Sequence, residues 1–257
     1  MPPGYCLSCQ GTLHGVVMGA AAPTAMDSID CVVVGAGAVG LAAARALAMA
    51  GREVVILERE RAIGTATSAR NSGVIHAGIY YPPGSLKARL CVAGRHALYD
   101  YCNARGLPHR RCGKLIVATQ TGEIAQLEQL LAHGQANGVD DLRLIDQSEA
   151  LRLEPQLQCA AALLSPSTGI MDSHAIMHAY LGDAQDHGAM LALDSPLLSA
   201  RHTPAGFELE VGGGGAMRIL ARTLVNSAGL HAPDLARRFE GLDPAQVPGA
   251  WYAKGNY

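Results

Sequence analysis

A glycine-rich turn between two apolar runs constrains the fold of this chain more than any other feature. Residues 30–34 read DCVVV, and Gly35, Gly37 and Gly40 then follow in the spacing GxGxxG. The next residues repeat small and apolar side chains at helical spacing, and a second apolar run, EVVILE, closes at Glu58. This order makes a βαβ unit of about thirty residues. It predicts an α/β protein with a parallel sheet, whose strands are buried on both faces.

Each glycine and the acid have a separate task in such a unit. Gly35 permits a tight turn, Gly37 lets backbone N–H groups approach a pyrophosphate, and Gly40 lets the helix pack on the sheet. The helix N-terminus adds about half a positive charge. Glu58 follows Gly40 by eighteen residues and is suited to accept hydrogen bonds from a ribose diol. The pattern predicts a dinucleotide site, with a ligand-free glycine turn as the alternative.

The segment TSARNSGVIHAGIYY, residues 67–81, is neither a helical pattern nor an ordinary loop. It places hydroxyls, an amide, an arginine and a histidine beside two glycines. In a simple NAD domain the chain would continue into further βα units after the ribose acid. A polar, glycine-spaced segment at this point offers hydroxyls and amides to a second group of phosphates and a polar ring. It favours a cofactor with a large reactive head lying across the domain, and therefore FAD rather than NAD.

Composition excludes several classes of protein. The 257 residues are 49% hydrophobic and 16% charged, with a net charge of −2, which favours a globular core and gives no basic surface for nucleic acid. Seven cysteines without regular spacing do not form a disulfide framework. Cys6 and Cys9 with His14 are a weak metal pattern, and we predict no metal. Residues 1–25 contain no charged side chain, so we predict no leader peptide and a cytoplasmic protein.

Farther along the chain, apolar spacing and glycine stops predict helices over residues 85–106, 122–138 and 174–187. GAMLALDSPLLSAR predicts one strand segment, and FELEV and MRILA flank a glycine run and predict a hairpin. RTLVNSAG is a further apolar run that ends in small residues. No linker divides the chain, which favours a split domain with an insertion.

Several segments together resemble the FAD-dependent L-2-hydroxyglutarate dehydrogenases and oxidases, a branch of the D-amino-acid-oxidase-like superfamily. They are the glycine unit of residues 31–60, GTATSARNSGVIHAGIYYPPGSLKARLCVAGRHALYDYC, GKLIVAT, SPSTGIMDSHA and LVNSAGLHA. The resemblance runs from Asp27 to Tyr257. NSGVIHAGIYY with SLKARLC is specific to this branch, whereas the glycine motif is shared widely.

The resemblance implies a bound FAD and assigns residues to its portions. The ADP half is assigned to Gly35, Gly37, Val39, Gly40, Glu58 and Arg59. The pyrophosphate and flavin are assigned to Thr67, Ser68, Asn71 and Ser72. Pro196 and Leu197 are expected beside the adenine, and Ala228 and Gly229 are expected to close over the phosphates.

The resemblance also implies a Rossmann-like FAD-binding domain of the glutathione-reductase-like, D-amino-acid-oxidase type, with an inserted and incomplete α+β substrate domain. The expected divisions are a disordered extension (1–26), a first FAD-binding segment (27–105), a first substrate-domain segment (106–165), a second FAD-binding segment (166–238) and the start of a second substrate-domain segment (239–257). In the family, roughly a third of the protein follows this point, so we expect a chain that is truncated.

Oxidation of a 2-hydroxy acid requires a base, a hydride acceptor and a cation for the carboxylate. His76 is the best base by residue type, because its ordinary pKa lies near ~6.5. A covalent link to the flavin and a merely structural histidine are the alternatives. Asp172 is expected to cap a helix, and His174 to pack.

An arginine is the natural clamp for a carboxylate, because its planar fork contacts both oxygens. The basic candidates near the polar segment are Arg70, Lys87, Arg89 and Arg111. Tyr80 and Tyr81 could donate hydroxyls to the substrate or simply pack.

The predicted function is oxidation of the CH–OH group of a 2-hydroxy acid, with L-2-hydroxyglutarate and 2-oxoglutarate as substrate and product. The alternatives are a related enzyme for amino acids or glycerol 3-phosphate, and an inactive, truncated FAD-binding remnant. The electron acceptor, oxygen or a quinone, stays open, as do peripheral membrane association and a homo-oligomer.

Overall fold

The structure is a computed structural model that describes residues 26–214 and 216–253. Its strands are β1 (Asp27–Val34), β2 (Val54–Leu57), β3 (Val74–Ile75), β4 (His109–Arg110), β5 (Lys114–Ala118), β6 (Arg143–Asp146), β7 (Ala161–Ser165), β8 (Gly169–Met171), β9 (Met190–Ala192), β10 (Leu197–Thr203), β11 (Gly206–Val211), β12 (Met217–Asn226) and β13 (Phe239–Glu240). Its α-helices are α1 (Ala38–Met49), α2 (Leu86–Arg105), α3 (Ile124–Ala136), α4 (Gln147–Leu153), α5 (Ser173–Asp186) and α6 (Ala232–Ala236).

The largest sheet of the described residues has seven strands in the order β13-β10-β11-β12-β1-β2-β9. β1 pairs in parallel with both β2 and β12, and β2 pairs in parallel with β9. Residues 31–34 of β1 and all of β2 are buried, as a strand covered on both faces requires. The βαβ unit and the parallel pairing predicted from the glycine pattern are therefore confirmed for β12, β1, β2 and β9, whereas β11 pairs antiparallel with both β10 and β12.

Apolar side chains alternate between the two faces of β1 and supply a core on each. On one face, Cys31 and Val33 pack with α1 and α5 through residues such as Leu41 and Met177. On the other face, Val32 and Val34 pack with the meander β10–β11–β12 and with Leu235 of α6. The sheet is therefore fixed from both sides.

Two strand predictions needed tertiary context. GAMLALDSPLLSAR forms two strands, β9 and β10, because the backbone turns at Asp194 (φ 49°) just before Pro196. Conversely, MRILA and RTLVN form the single strand β12, since β1 pairs with β12 along its length. The predicted hairpin of β11 and β12 is confirmed.

Helix ends follow the local signals. The Ser85 hydroxyl accepts a hydrogen bond from the Ala88 N–H at the start of α2, and Gly106 ends this helix with a φ of 62°. Asp172 caps α5 by accepting from the His174 and Ala175 N–H groups at 2.9 and 3.0 Å, which confirms its predicted role. His174 is exposed rather than packed.

Two small antiparallel sheets complete the described fold. One has the order β3-β8-β4, and the other has the order β5-β7-β6 and packs against α3. After the glycine unit, the chain forms β3 and β4 in the first small sheet. It then forms β5, β6 and β7 of the second small sheet before it returns to the first through β8. The domain boundaries given above remain a prediction.

Candidate functional site

A cavity of about 750 Å³ lies at the carboxyl ends of β1, β2 and β12. In a parallel sheet the crevice beyond these strand ends is the usual ligand position, where neighbouring connections lead to opposite sides. The volume falls within the roughly 300–1,000 Å³ typical of ligand sites. Predicted residues on its walls are Gly35, Gly37, Val39, Glu58, Arg59, Thr67, Ser68, Arg70, Pro196, Leu197, Ala228 and Gly229.

The glycine turn that forms one wall has no room for side chains at two positions. Gly35 has a φ of 98°, and a Cβ there would lie 2.6 Å from the Ser227 carbonyl oxygen. A Cβ on Gly40 would lie 1.9 Å from the Gly35 carbonyl oxygen. Gly40 therefore lies behind the cavity wall, where it permits α1 to approach the turn.

The N-terminus of α1 opens into the same cavity. Gly37 is its N-cap and provides no side-chain cap. The Ser68 hydroxyl accepts a hydrogen bond from the Ala38 N–H at 3.0 Å, and a Cβ on Gly37 would lie 3.0 Å from this hydroxyl. Val39 lines the cavity with 75% of its surface exposed. The backbone here is positioned to bind an anion, because helix N-termini combine free N–H groups with a positive dipole end.

Glu58 is a buried acid that contacts the turn. Its Oε2 accepts from the Ala36 N–H at 2.7 Å, and its Oε1 accepts from the Glu60 N–H at 3.0 Å. These bonds fix the carboxylate at the end of β2. Each carboxylate oxygen retains a second lone pair, so Glu58 can still accept from a diol.

The opposite walls come from distant regions of the chain. The Ser195 N–H donates to the Glu58 carbonyl at 2.8 Å, which places Pro196 and Leu197 beside the end of β2. Ser227, Ala228 and Gly229 follow β12. The Ser227 hydroxyl donates to the Val34 carbonyl at 2.7 Å, which locks the end of β12 to the end of β1.

The polar segment divides into two stretches. Thr67, Ser68 and Arg70 form a 3₁₀ turn on the cavity wall. Asn71 and Ser72 do not line the cavity. Asn71 instead makes a local turn, accepting from the Gly73 N–H at 2.7 Å and donating to the Ser173 hydroxyl at 3.3 Å.

Of the predicted chemical residues, Arg70 lines the cavity, whereas His76, Tyr80 and Arg89 do not. His76 follows β3 and is exposed, and the Cys91 thiol lies 3.7 Å from its carbonyl oxygen. Partial desolvation, and after it the charge of Lys114, lower the pKa of His76 from its ordinary 6.5. Tyr80 accepts a hydrogen bond from the Lys114 ammonium at 2.9 Å.

The other basic candidates do not contribute to the lowered pKa of His76. Arg89 is exposed on α2. Lys87 lies 4.6 Å from the ring centre of Tyr81, and Arg111 lies 4.5 Å from that of Tyr99.

Two residues were missed by the sequence reasoning. Ser227 closes the glycine turn, and its position after an apolar run was the available signal. Arg95 is 5% exposed and donates to the Ala77 carbonyl and the Ser167 hydroxyl, so it supports the backbone next to His76. No local pattern marks Arg95, because helical spacing alone does not show which polar residue becomes buried.

These features fit the ADP half of FAD. The turn excludes side chains where the backbone must approach a pyrophosphate, the helix N-terminus provides positive charge, and a fixed acid stands at the end of the second strand. Such a set of donors and acceptors defines a dinucleotide site.

The family profile described as DAO, FAD dependent oxidoreductase, matches residues 30–252, so this chain belongs to that family. FAD is accordingly its cofactor, and the predicted family and fold class are confirmed.

The chain is similar to L-2-hydroxyglutarate dehydrogenases named as mitochondrial. It is 42% identical to that of Arabidopsis thaliana, covering 94% of this chain and 56% of the relative. Identity to the Homo sapiens protein is 41%, covering 72% of this chain and 40% of the relative, and identity to the Caenorhabditis elegans protein is 38%, covering 87% and 53%. The chain thus spans about half the length of the curated relatives it matches.

Solved structures agree on the fold. An FAD-bound L-α-glycerophosphate oxidase from Mycoplasma pneumoniae matches with a TM-score of 0.77 and 25% identity, covering 83% of this chain and 57% of that chain. Glycine oxidase from Geobacillus kaustophilus matches with a TM-score of 0.74 and 23% identity, covering 82% and 58%.

The prediction of a cytoplasmic protein is wrong, because these relatives are named as mitochondrial. It rested on the lack of charged residues at positions 1–25, and a missing leader pattern is not a physical signal for any compartment. Within the described portion of the chain, no helix is long and apolar enough to cross a membrane. Among those same residues, no cluster of His, Cys, Asp or Glu suits a metal, and Cys6, Cys9 and His14 lie outside them.

Proposed function

We propose that this chain acts in the oxidation of L-2-hydroxyglutarate to 2-oxoglutarate. The observation that carries the proposal is the 42% identity, over 94% of the chain, to a protein named for that substrate. The reaction requires a bound hydride acceptor and a base, and the dinucleotide cavity and the neutral histidine beyond it are suited to these two roles. When bound, FAD supplies the hydride acceptor.

The cavity residues hold the cofactor. The backbone around Gly37 and the first turn of α1 bind the pyrophosphate, and Glu58 accepts hydrogen bonds from the ribose diol. Thr67 and Ser68 provide hydroxyls on the cavity wall. Ala228 and Gly229 are small enough to let the phosphates lie against the end of β12.

His76 takes the proton of the substrate hydroxyl. Because partial burial and Lys114 lower its pKa, the ring is neutral at pH 7 and one ring nitrogen can accept a proton. Arg70 stands at the border of the cavity and binds the carboxylate next to the reacting carbon through its planar fork. The roles of Tyr80 and Arg89 in substrate binding remain predictions.

The function is tested by anaerobic reduction of the flavin. The purified chain, loaded with FAD, is mixed with L-2-hydroxyglutarate, D-2-hydroxyglutarate, glycerol 3-phosphate or L-amino acids. We expect only L-2-hydroxyglutarate to bleach the visible flavin band. Bleaching by glycerol 3-phosphate would instead favour a function like that of the L-α-glycerophosphate oxidase found in the structural comparison. No bleaching by any substrate would indicate an inactive FAD-binding remnant.

His76→Ala is expected to retain FAD and to reduce it roughly 10²–10⁴-fold more slowly, the range for loss of a general base. Stopped-flow absorbance measures this rate. His178→Ala removes an exposed histidine of α5 and is the control, expected to leave the rate unchanged. An unchanged rate in His76→Ala would contradict its assignment as the base.

The pH dependence follows from the same pKa. A base must be unprotonated, and the pKa of His76 is lowered from 6.5. The reduction rate of the wild-type protein at low substrate concentration is therefore expected to fall on acidification with a midpoint below pH 6.5. A midpoint well above pH 6.5 would point to a different base.

A further inference from the structure

Lys114 begins β5 at the edge of an apolar face. Strand alternation puts Lys114, Ile116 and Ala118 on one side of β5. Ile116 and Ala118 pack in the cluster that contains Ala77 and Ile79. Lys114 is the polar end of this row, and it therefore lies where the apolar packing stops. This position is next to the residues that come just before and just after 77–79 in the sequence.

Lys114 contacts Tyr80 and acts on His76 through its charge, and it has no acidic partner among the described residues. Its ammonium donates to the Tyr80 hydroxyl at 2.9 Å, and its charge acts on His76. Among the ion pairs of residues 26–214 and 216–253, Lys114 has no carboxylate partner. The side chain is partly buried, and a partly desolvated cation is stabilised by an anionic partner.

We propose that Lys114, with the Tyr80 hydroxyl, binds the substrate carboxylate that is remote from the reacting carbon, and so selects dicarboxylic over monocarboxylic 2-hydroxy acids. The inference rests on the proposed function, in which His76 takes the hydroxyl proton. Lys114 lies outside the cofactor cavity, on a different sheet from the glycine turn. It is therefore suited to the far end of a substrate whose near end faces the flavin.

The first test measures binding without turnover. Glutarate, a dicarboxylate of the same length without the hydroxyl, is titrated into the FAD-loaded protein, and butyrate is its monocarboxylate counterpart. NMR of labelled histidine reports occupancy at His76. We expect glutarate to bind the wild type and to raise the pKa of His76, because an added negative charge favours the imidazolium.

Lys114→Met is expected to weaken glutarate binding roughly tenfold to hundredfold, the range for losing one charged hydrogen bond, and to leave butyrate binding unchanged. It should also raise the pKa of His76 in the free protein, since a neighbouring positive charge is lost. Lys114→Arg keeps the charge and is expected to recover most of the binding.

Lys87→Met is the matched control. Both lysines lie 4.6 Å from the centre of a tyrosine ring, but the Lys87 ring belongs to Tyr81, and it is the charge of Lys114, not that of Lys87, that lowers the pKa of His76. It should bind glutarate like the wild type. The inference is overturned if Lys114→Met binds glutarate normally, or if the wild type does not prefer glutarate to butyrate.

The flavin assay separates this inference from the proposed function. Lys114-dependent glutarate binding without flavin reduction by L-2-hydroxyglutarate would contradict the function and leave the dicarboxylate site standing. The opposite result is that L-2-hydroxyglutarate reduces the flavin and that Lys114→Met discriminates against L-2-hydroxybutyrate as strongly as the wild type does. It would contradict the role of Lys114 and leave the proposed function standing.

Discussion

Gly37→Val is expected to fold and to lose its flavin. A Cβ on Gly37 meets only the Ser68 hydroxyl, at 3.0 Å, so the substitution needs a small side-chain shift rather than a backbone change. The added branches, however, cover the N–H groups at the start of α1. Losing two hydrogen bonds to a charged phosphate weakens binding by about 3–6 kcal/mol, which is more than roughly a hundredfold. Flavin absorbance after gel filtration measures retention.

Gly122→Val is the control for this experiment. Gly122 lies in an exposed 3₁₀ turn, a Cβ there meets nothing within 4 Å, and the residue is not part of the cavity walls. This variant should keep its FAD. A Gly37→Val protein that stays yellow with wild-type affinity would show that the phosphates do not lie at the N-terminus of α1.

The glycine unit could be predicted because its signals are local. Gly35, Gly40 and Glu58 belong to one run of strand, turn, helix and strand, and the steric demands at the two glycines arise largely within that run and its neighbouring strand. The caps of α2 and α5 were predictable for the same reason, since Ser85 and Asp172 each bond to N–H groups two or three residues away.

Other elements of the site depend on long-range pairing. Ser227 bonds to Val34, 193 residues earlier in the chain, and only the parallel pairing of β12 with β1 brings them together. Lys114 reaches Tyr80 through the packing of β5 on residues 77–79. Periodicity shows that a strand exists, but it does not show which neighbour the strand will have.

Asn71 illustrates a competition within one segment. The resemblance assigns it to the flavin, but in the structure its amide closes a turn with Gly73 and bonds to Ser173. Asparagine side chains bond readily to nearby backbone groups, and such local bonds compete with other roles. Its assignment to the flavin therefore stays a prediction, whereas Ser68 lies on the cavity wall.

A buried ionic cluster joins α1 to α2 and α5. Asp183 of α5 is 2% exposed, and its Oδ2 lies 2.6 Å from the Arg45 Nε of α1. Arg105 of α2 also pairs with Asp183, and the Tyr101 hydroxyl donates to it at 3.0 Å. Burial favours the neutral acid, but these donors and charges outweigh it and lower the pKa of Asp183.

Asp183→Ala is therefore expected to destabilise the protein by about 3 kcal/mol, the lower end of the range for breaking a buried pair, because Arg45 and Arg105 are partly exposed and regain water. For a chain of this size, the Tm should fall by roughly 6–12 °C. Glu208→Ala removes the partly exposed partner of the exposed Arg201 and is the control, expected to cost about 0–1 kcal/mol.

The pH dependence distinguishes this ionic cluster from simple loss of packing. Since the folded pKa of Asp183 lies below its ordinary 3.8, its charged form contributes stability above about pH 4, and this contribution is lost as the pH falls through the folded pKa. The difference in unfolding free energy between wild type and Asp183→Ala should therefore be full at pH 7 and shrink on acidification below pH 4. Denaturant unfolding of the two proteins at pH 7 and at pH 3 measures this difference. A difference that is the same at pH 7 and pH 3 would mean that Asp183 stabilises α1 by volume rather than by charge, and that the contact between α1 and its neighbouring helices is not ionic.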